Sequence, residues 1–117
     1  MPQATILVVE DESVIRLLLH NVLIKEGYRV LEAADGRTAI EAYRAGRDEI
    51  DLVMLDLKLP DIHGSLVLEE LIAIDGEVKV IIATGNVVSD GMVGVCAVLQ
   101  KPFNLDQLRE TVREVVG

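Results

Sequence analysis

The chain has 117 residues, a length that suits one hydrophobic core and therefore one domain, residues 1–117. Its formal net charge of −9 repels nucleic acid and anionic membranes at long range, which excludes partners of those two kinds. Half of the residues are apolar but only 3% are aromatic, a composition typical of buried aliphatic strands covered by helices.

Five short apolar runs predict strands, at residues 5–9, 28–32, 52–55, 78–83 and 97–99. Helical patterns lie between most of them. The first predicted helix runs from Ser13, as N-cap, to Glu26 and stops at Gly27. The others are predicted from Asp35-Gly36 to Gly46, over residues 64–74, and from Asn104 nearly to Gly117.

The alternation of strands and helices implies right-handed crossovers, hence a doubly wound α/β fold: a five-stranded parallel sheet with helices on both faces. Residues 85–96 are rich in Gly, Ser and Val and predict a loop, so the fourth helix is expected to be short or disordered. In such sheets, ligands bind beyond the carboxyl ends of the strands.

Polar residues follow four of the predicted strands. Glu10 and Asp11 follow the first, Asp56 the third, Thr84 the fourth and Lys101 the fifth. Each alone is explained by a solvated surface group or a helix cap, but all occur at ends that a parallel sheet brings together. Three clustered carboxylates repel one another unless a cation lies between them, and an all-oxygen ligand set favours Mg²⁺.

Four segments resemble the signature blocks of response-regulator receiver domains of two-component and phosphorelay signalling: ILVVEDE (6–12), DLVMLDLKLPDIHG (51–64), IIATG (81–85) and KPF (101–103). The resemblance spans the chain and implies a flavodoxin-like, chemotaxis-regulator-like fold with strand order 2-1-3-4-5. It also implies a phosphoacceptor that assists its own phosphotransfer and dephosphorylation rather than an enzyme.

The resemblance assigns the phosphoryl chemistry to three residues. Asp56 would take a phosphoryl group from a phosphohistidine, giving an aspartyl phosphate. Lys101 would supply positive charge, with a cis peptide bond to Pro102, and Thr84 would hydrogen-bond the phosphoryl group.

The resemblance also implies a Mg²⁺ site. Asp11, Asp56 and the backbone carbonyl of Lys58 would bind the ion directly, and Glu10 through water. Most relatives carry Asp where this chain has Glu10, so the longer side chain is expected to shift the water or the metal.

The partners that the family implies are a histidine kinase or a histidine phosphotransfer protein, and a downstream protein that the sequence does not identify. The docking residues carried over from the family are Glu12, Ile15, Leu18, Pro102 and Phe103. The first helix is apolar on more than one face. Leu17 and Ile24 therefore broaden its core contacts, touch the last helix, or extend a docking surface.

Two departures from the family leave an alternative open. Val98 stands where relatives carry the aromatic residue of the conformational switch, and the predicted fourth helix is depleted. The alternative is a pseudo-receiver that docks without phosphate. Without a switch aromatic, we expect phosphorylation to act by ordering residues 85–96 instead. A hydrolase with an aspartyl-phosphate intermediate is disfavoured because Lys58 replaces the acid expected two residues after Asp56 and no cap insertion encloses a substrate. A P-loop nucleotide enzyme is excluded because no GxxxxGK(S/T) motif follows any strand.

Three remaining residues receive no role. His20 and His63 have no metal-ligand spacing and are interpreted as surface or loop histidines. Cys96 is interpreted as a small buried apolar residue ahead of the fifth strand. A single cysteine and the lack of a leader or membrane-spanning run favour the cytoplasm.

Overall fold

A computed structural model describes residues 3–85 and 94–117. Within those ranges the chain forms five strands and four helices. In chain order they are β1 (Thr5–Val9), α1 (Ser13–Lys25), β2 (Arg29–Ala33), α2 (Gly36–Gly46), β3 (Leu52–Leu55), α3 (Gly64–Ile74), β4 (Val80–Thr84), β5 (Val95–Gln100) and α4 (Leu105–Val116).

The five strands form one parallel sheet in the order β2-β1-β3-β4-β5, which confirms the predicted fold class. Every residue of β1, β3 and β4 is buried, as expected for inner strands that are covered on both faces. The edge strands β2 and β5 are only partly buried. The sheet order places the carboxyl ends of β1 and β3 side by side.

Successive residues of each inner strand point in opposite directions, into two hydrophobic cores that lie on the two faces of the sheet. In β1, Leu7 and Val9 pack into the core beneath α2 and α3, whereas Ile6 and Val8 face α1 and α4. The helices contribute aliphatic side chains to the second core, among them Leu23 and Leu108, which are fully buried. Aliphatic packing on both faces therefore fixes the sheet between two helical layers.

The observed strand limits differ from the predicted ones where the apolar pattern is a poor guide. β2 covers 29–33 rather than 28–32. β4 starts at Val80 and includes Thr84, because Thr84 pairs with Gln100 of β5 while Val78 lies in a turn bonded to Asp75. β5 is longer than the predicted 97–99.

The position predicted for Cys96 is wrong. Cys96 lies within β5 and is exposed, because β5 is an edge strand whose pattern alternates between covered and solvent-facing residues. The predicted loop over 85–96 is likewise wrong for its last two residues, which belong to β5. Residues 86–93, on which the predicted short fourth helix falls, lie outside the described residues.

The helix limits follow the predicted capping residues with one exception. The Asp35 carboxylate accepts from the Thr38 N–H, and the Asn104 side chain accepts from the Gln107 N–H. Gly27 follows α1 with φ +94°, a conformation that glycine adopts at low cost. The exception is Ser13, which lies inside α1, while the N-cap is Glu12, whose side chain makes no cap hydrogen bond.

The two histidines differ in their surroundings. His63 is exposed, as predicted, and caps α3 by accepting from the Ser65 N–H. His20 lies in α1 and is half-buried, with its Nδ1 3.3 Å from a carboxylate oxygen of Glu32 on β2. The prediction of a surface position therefore holds fully only for His63.

The surplus apolar residues of α1 lie in solvent. Leu19, Val22 and Leu23 make the core contact, whereas Leu17 is 59% exposed and Ile24 46%. The interpretation that Leu17 and Ile24 broaden the core is therefore wrong. Within residues 3–85 and 94–117, no helix is long and apolar enough to cross a membrane.

Gly64, the first residue of α3, fits where no other residue would. A Cβ atom built there would lie 2.5 Å from both the Asp56 carbonyl oxygen and the Leu57 Cα. Both neighbours are backbone atoms, which cannot move aside without shifting the end of β3. The missing side chain thus lets α3 begin directly against the backbone of Asp56 and Leu57, just after β3.

We expect Gly64→Ala to lower the free energy of unfolding by about 1–3 kcal/mol, the usual cost of overpacking. Urea denaturation measures this loss of unfolding free energy. Gly76→Ala is the matched control, because nothing lies within 4 Å of a Cβ at that position and the change should be neutral or slightly stabilising. Equal stability of the two variants would contradict this account of Gly64.

Candidate functional site

Three carboxylates meet at the carboxyl ends of β1 and β3. Glu10 and Asp11 follow β1 directly, Asp56 follows β3, and one ligand oxygen from each residue lies within 4.8 Å of the others. The pairing of Val9 with Leu55 sets the two strand ends side by side. Glu10 and Asp56 are buried, and Asp11 is exposed. The sequence-predicted carboxylates therefore come together in one cleft.

Lys101 brings a positive charge into this cleft from the end of β5. Its Nζ lies 3.0 Å from Asp56 Oδ2 and also donates to Glu10 Oε1. The backbone supports this position, because the Lys101 N–H donates to the Thr84 carbonyl over 2.8 Å. The Lys101–Pro102 peptide bond is cis, as predicted.

The electrostatics of the cleft are set by burial and by this ammonium group. Burial raises the pKa of Glu10, and the hydrogen bonds from Lys101 and the Glu12 N–H only partly offset that effect. Burial lowers the pKa of Lys101, but its hydrogen bonds to Glu10 and Asp56 outweigh burial and leave the pKa raised. Lys101 is therefore charged at neutral pH, and its ammonium contacts two of the three clustered carboxylates.

Of the remaining predicted residues, Lys58 contacts Asp56 and Thr84 ends the neighbouring strand. Asp56 Oδ1 accepts from the Lys58 N–H over 3.1 Å, so the loop after β3 turns back toward the carboxylate. The Lys58 side chain is exposed. Thr84 is fully buried at the end of β4, the strand that neighbours β3.

Two residues near the cleft were missed by the sequence reasoning. Arg16 of α1 donates through Nη1 to the Glu10 carbonyl over 2.8 Å and lies 3.5 Å from a Glu32 carboxylate oxygen. Asp61, in the loop between β3 and α3, accepts from the backbone of α2. Both contacts link residues that are separate in sequence or use backbone atoms, so no spacing rule signals them.

An apolar groove of about 350 Å³ adjoins the cleft and is lined by Ile15, Leu18, Lys101, Pro102, Phe103 and Leu105. Four of the five predicted docking residues therefore lie together. The fifth, Glu12, is the N-cap of α1 and does not line the groove. Lys101 is shared between the groove and the cleft, so a partner seated in the groove would lie next to Asp56.

A second cavity, of about 360 Å³, lies at the opposite, amino end of the strands and has Asp51, Asp75 and Lys79 among its lining residues. There the Tyr43 hydroxyl donates to Asp75 over 3.3 Å, and burial, with the nearby Asp75 charge, raises the pKa of Tyr43 to about 12. This cavity contains none of the strand-end residues described above.

A doubly wound sheet with an acid cluster and a lysine at its carboxyl edge defines a class of phosphoacceptor domain, and comparison with known proteins gives the family. The sequence model of the response regulator receiver domain matches residues 6–113, and the chain belongs to that family. It is 34% identical over 119 residues to sporulation initiation phosphotransferase F of Bacillus subtilis (strain 168), covering 97% of this chain and 94% of that protein.

Two solved structures are similar over nearly their whole length. The response regulator TrrA of Thermotoga maritima, in complex with Mg²⁺ and BeF, is 34% identical, with a TM-score of 0.88 over 97% of this chain and 99% of that one. The receiver domain of a sensor histidine kinase of Pseudomonas aeruginosa PAO1, with magnesium coordinated in the active site cleft, is 28% identical, with a TM-score of 0.89 over 99% of both chains. The protein is therefore a receiver domain of two-component signalling.

We expect Lys101→Met to destabilise the fold near neutral pH, because it leaves Glu10 and Asp56 without their cation. The loss should be smaller than the about 3–5 kcal/mol of a fully buried pair, since the Lys101 side chain is 17% exposed. The substitution also removes a group that lowers the pKa of Glu10, so that pKa rises further.

A carboxyl group with a raised pKa in the folded state favours folding below that pKa and opposes it above. The stability deficit of Lys101→Met should therefore shrink as the pH falls from 7 toward 4, as followed by urea denaturation at each pH. Lys58→Met removes an exposed charge of the same sign and serves as the control. A deficit that is constant with pH would contradict the electrostatic explanation.

Proposed function

We propose that residues 1–117 form one receiver domain that accepts a phosphoryl group from phosphohistidine onto Asp56 in a Mg²⁺-dependent reaction. The observation that carries the proposal is the contact of Lys101 Nζ with Asp56 Oδ2 inside a cluster of three carboxylates. A structural ion pair would need only one carboxylate. The surplus of negative charge favours a site built for a further cation.

The donor set fits Mg²⁺. All available ligand atoms are oxygens, three carboxylates converge within 4.8 Å, and Asp11 is open to solvent so that the ion can retain water. Asp11, Asp56 and the Lys58 carbonyl would hold the ion directly, and Glu10 through water. The bound ion would supply positive charge against the oxygens of the incoming phosphoryl group.

The residues of the chain supply the rest of the chemistry. An Asp56 carboxylate oxygen attacks phosphorus, the O–P bond forms, and the N–P bond of the phosphohistidine breaks, leaving the imidazole on the donor. Lys101 already points at Asp56 and would donate to a phosphoryl oxygen. Thr84 would donate its hydroxyl from the neighbouring strand end. Burial of Asp56 limits access of water to the reacting atoms.

The proposed phosphodonor partner is a histidine kinase or a histidine phosphotransfer protein that docks in the apolar groove. The groove includes Lys101 together with Leu18 and Phe103, so a helix seated there would lie beside the cleft and could bring its imidazole to Asp56. Exposed Val14 and Leu17 extend the apolar surface along α1. Glu12 would lie at the edge of this contact. The downstream protein is not specified by this surface.

The pseudo-receiver alternative is less well supported. It rests on Val98, which is 43% exposed on β5, and on residues 86–93, all of which lie outside the described residues. Neither feature removes Asp56, Lys101 or the acid cluster. No observation favours an enzyme with a separate substrate, and we propose a phosphoacceptor that assists its own phosphotransfer and dephosphorylation.

We expect Mg²⁺ to raise the melting temperature of the protein, because it binds the folded state. A hundredfold excess over the dissociation constant corresponds to about 2.7 kcal/mol. Asp11→Ala should abolish the dependence on Mg²⁺, whereas Asp48→Asn, which alters a carboxylate that is 97% exposed, should retain it. An unchanged Mg²⁺ response in Asp11→Ala would count against the site.

We expect incubation with a small phosphodonor and Mg²⁺ to add the mass of one phosphoryl group, as measured by intact mass spectrometry. Asp56→Asn should abolish the addition, because an amide cannot act as the nucleophile, and Asp48→Asn should leave it unchanged. Modification of Asp56→Asn at an undiminished rate would exclude Asp56 as the acceptor. No modification of the unsubstituted chain would favour the pseudo-receiver.

A further inference from the structure

Asp61 connects the loop after β3 to the start of a distant helix. Its Oδ1 accepts from the Gly36 N–H over 2.8 Å, and its Oδ2 accepts from the Arg37 N–H over 2.9 Å. These are the first two backbone donors of α2 and lie 25 and 24 residues away in sequence. The loop and the helix are therefore joined by a pair of hydrogen bonds to one carboxylate.

The first turn of α2 has two acidic caps of different origin. Asp35, the local N-cap, accepts from the Thr38 N–H through its side chain and from the Ala39 N–H through its carbonyl. Asp61 supplies the two remaining acceptors. Since the Ala39 bond is the first intrahelical one, three N–H groups of this turn rely on side-chain caps, and two of those three are bonded to the loop.

The charge of Asp61 suits this position. Burial raises its pKa, but hydrogen bonds from the backbone N–H groups of Gly36, Arg37, Ile62 and Asp61 itself outweigh burial and lower the pKa overall. The carboxylate is therefore ionised at neutral pH. A negative charge at a helix N-terminus is also favoured by the helix dipole.

Side-chain packing holds the same loop against α2. A Cβ built at Gly36 would lie 2.5 Å from Ile62 Cγ1 and 2.8 Å from Val67 Cγ2, so this glycine lets the loop approach the helix closely. Nearer β3, the Gly64 N–H donates to the Leu57 carbonyl over 2.7 Å. The segment that contains Lys58 is thus fixed at both of its ends.

We propose that Asp61 is a positioning residue for the metal site: by fastening the loop to α2, it holds the backbone carbonyl of Lys58 where Mg²⁺ is bound. This inference rests on the proposed function. A carbonyl cannot be moved by a rotamer change, so its position depends entirely on the path of the loop. Without the Asp61 contact, fewer molecules hold the binding conformation, and the apparent affinity for Mg²⁺ falls in proportion.

The test compares Asp61→Ala with Asp35→Ala. Each substitution removes one carboxylate from the first turn of α2: Asp61→Ala removes two hydrogen bonds and Asp35→Ala removes one. Only Asp61 belongs to the loop that carries Lys58. Titration with Mg²⁺ alone, followed by NMR shifts or calorimetry, gives the dissociation constant of each variant. Urea denaturation gives the stability, and a small phosphodonor gives the rate of phosphorylation.

We expect both variants to lose stability, but only Asp61→Ala to bind Mg²⁺ more weakly. Its dissociation constant should rise by about tenfold, because removing a residue that supports a metal ligand typically weakens metal binding by that factor or more. Asp61→Asn keeps the shape and one acceptor oxygen, so it should fold and show an intermediate dissociation constant. Its rate of phosphorylation at saturating Mg²⁺ should recover toward that of the unsubstituted chain.

Three results would overturn the inference. Mg²⁺ affinity unchanged in both Asp61 variants would make Asp61 a helix cap only. Equal weakening in Asp35→Ala and Asp61→Ala would assign the effect to the stability of α2 rather than to the loop. Absence of Mg²⁺ binding by the unsubstituted chain would overturn the proposed function itself. This outcome is distinguishable from failure of the Asp61 inference because it is seen without any variant.

Discussion

Lys101 joins three strand ends, and its ammonium group lies between the carboxylates of two of them, which would otherwise repel each other. It contacts Glu10 after β1 and Asp56 after β3 while its own backbone is bonded to Thr84 of β4. This contact forms only if the strands are parallel and adjacent in the observed order, because only then do their carboxyl ends share one edge. The aliphatic cores on both faces supply the free energy that holds these charges close together.

The loop after β3 adds backbone groups to the edge of the sheet where the charged strand ends meet. The chain turns immediately after Asp56, and the Lys58 N–H donates to its carboxylate, which brings the backbone of the loop beside the proposed metal site. Gly64 permits the turn by allowing α3 to contact the backbone of Asp56, and His63 caps the helix that begins there. Asp61 fixes the outer part of the loop to α2. Three neighbouring residues therefore serve one purpose, the geometry around Asp56.

The sequence predicts the elements best where burial is uniform. The limits of β1, β3 and α3 agree with prediction because each is a clear apolar pattern bounded by polar residues or glycine. The limits of β5 and the exposure of Cys96 do not, since an edge strand has a covered and an open face and apolar residues occupy both. Periodicity alone does not distinguish an edge strand from a buried one.

Sequence reasoning likewise finds some residues of the candidate site and misses others. Asp11, Asp56 and Lys101 are found from the sequence because strand ends in a parallel sheet must converge. The supporting contacts of Arg16 and Asp61 are not, because each joins a side chain to backbone atoms of another segment. Such contacts depend on the path of the loops, which no local pattern specifies.

The replacement of an aromatic switch by Val98 constrains how a change at Asp56 reaches the surface. Val98 is small, lies on the open side of an edge strand and has no ring to rotate between two positions. The ends of β4 and β5 are instead linked through the backbone, by the Lys101 N–H to the Thr84 carbonyl and by Gln100 Nε2 to the Gly85 carbonyl over 3.3 Å. If Asp56 is phosphorylated as proposed, a phosphoryl group that draws Lys101 and Thr84 toward it would move these two linked strand ends together.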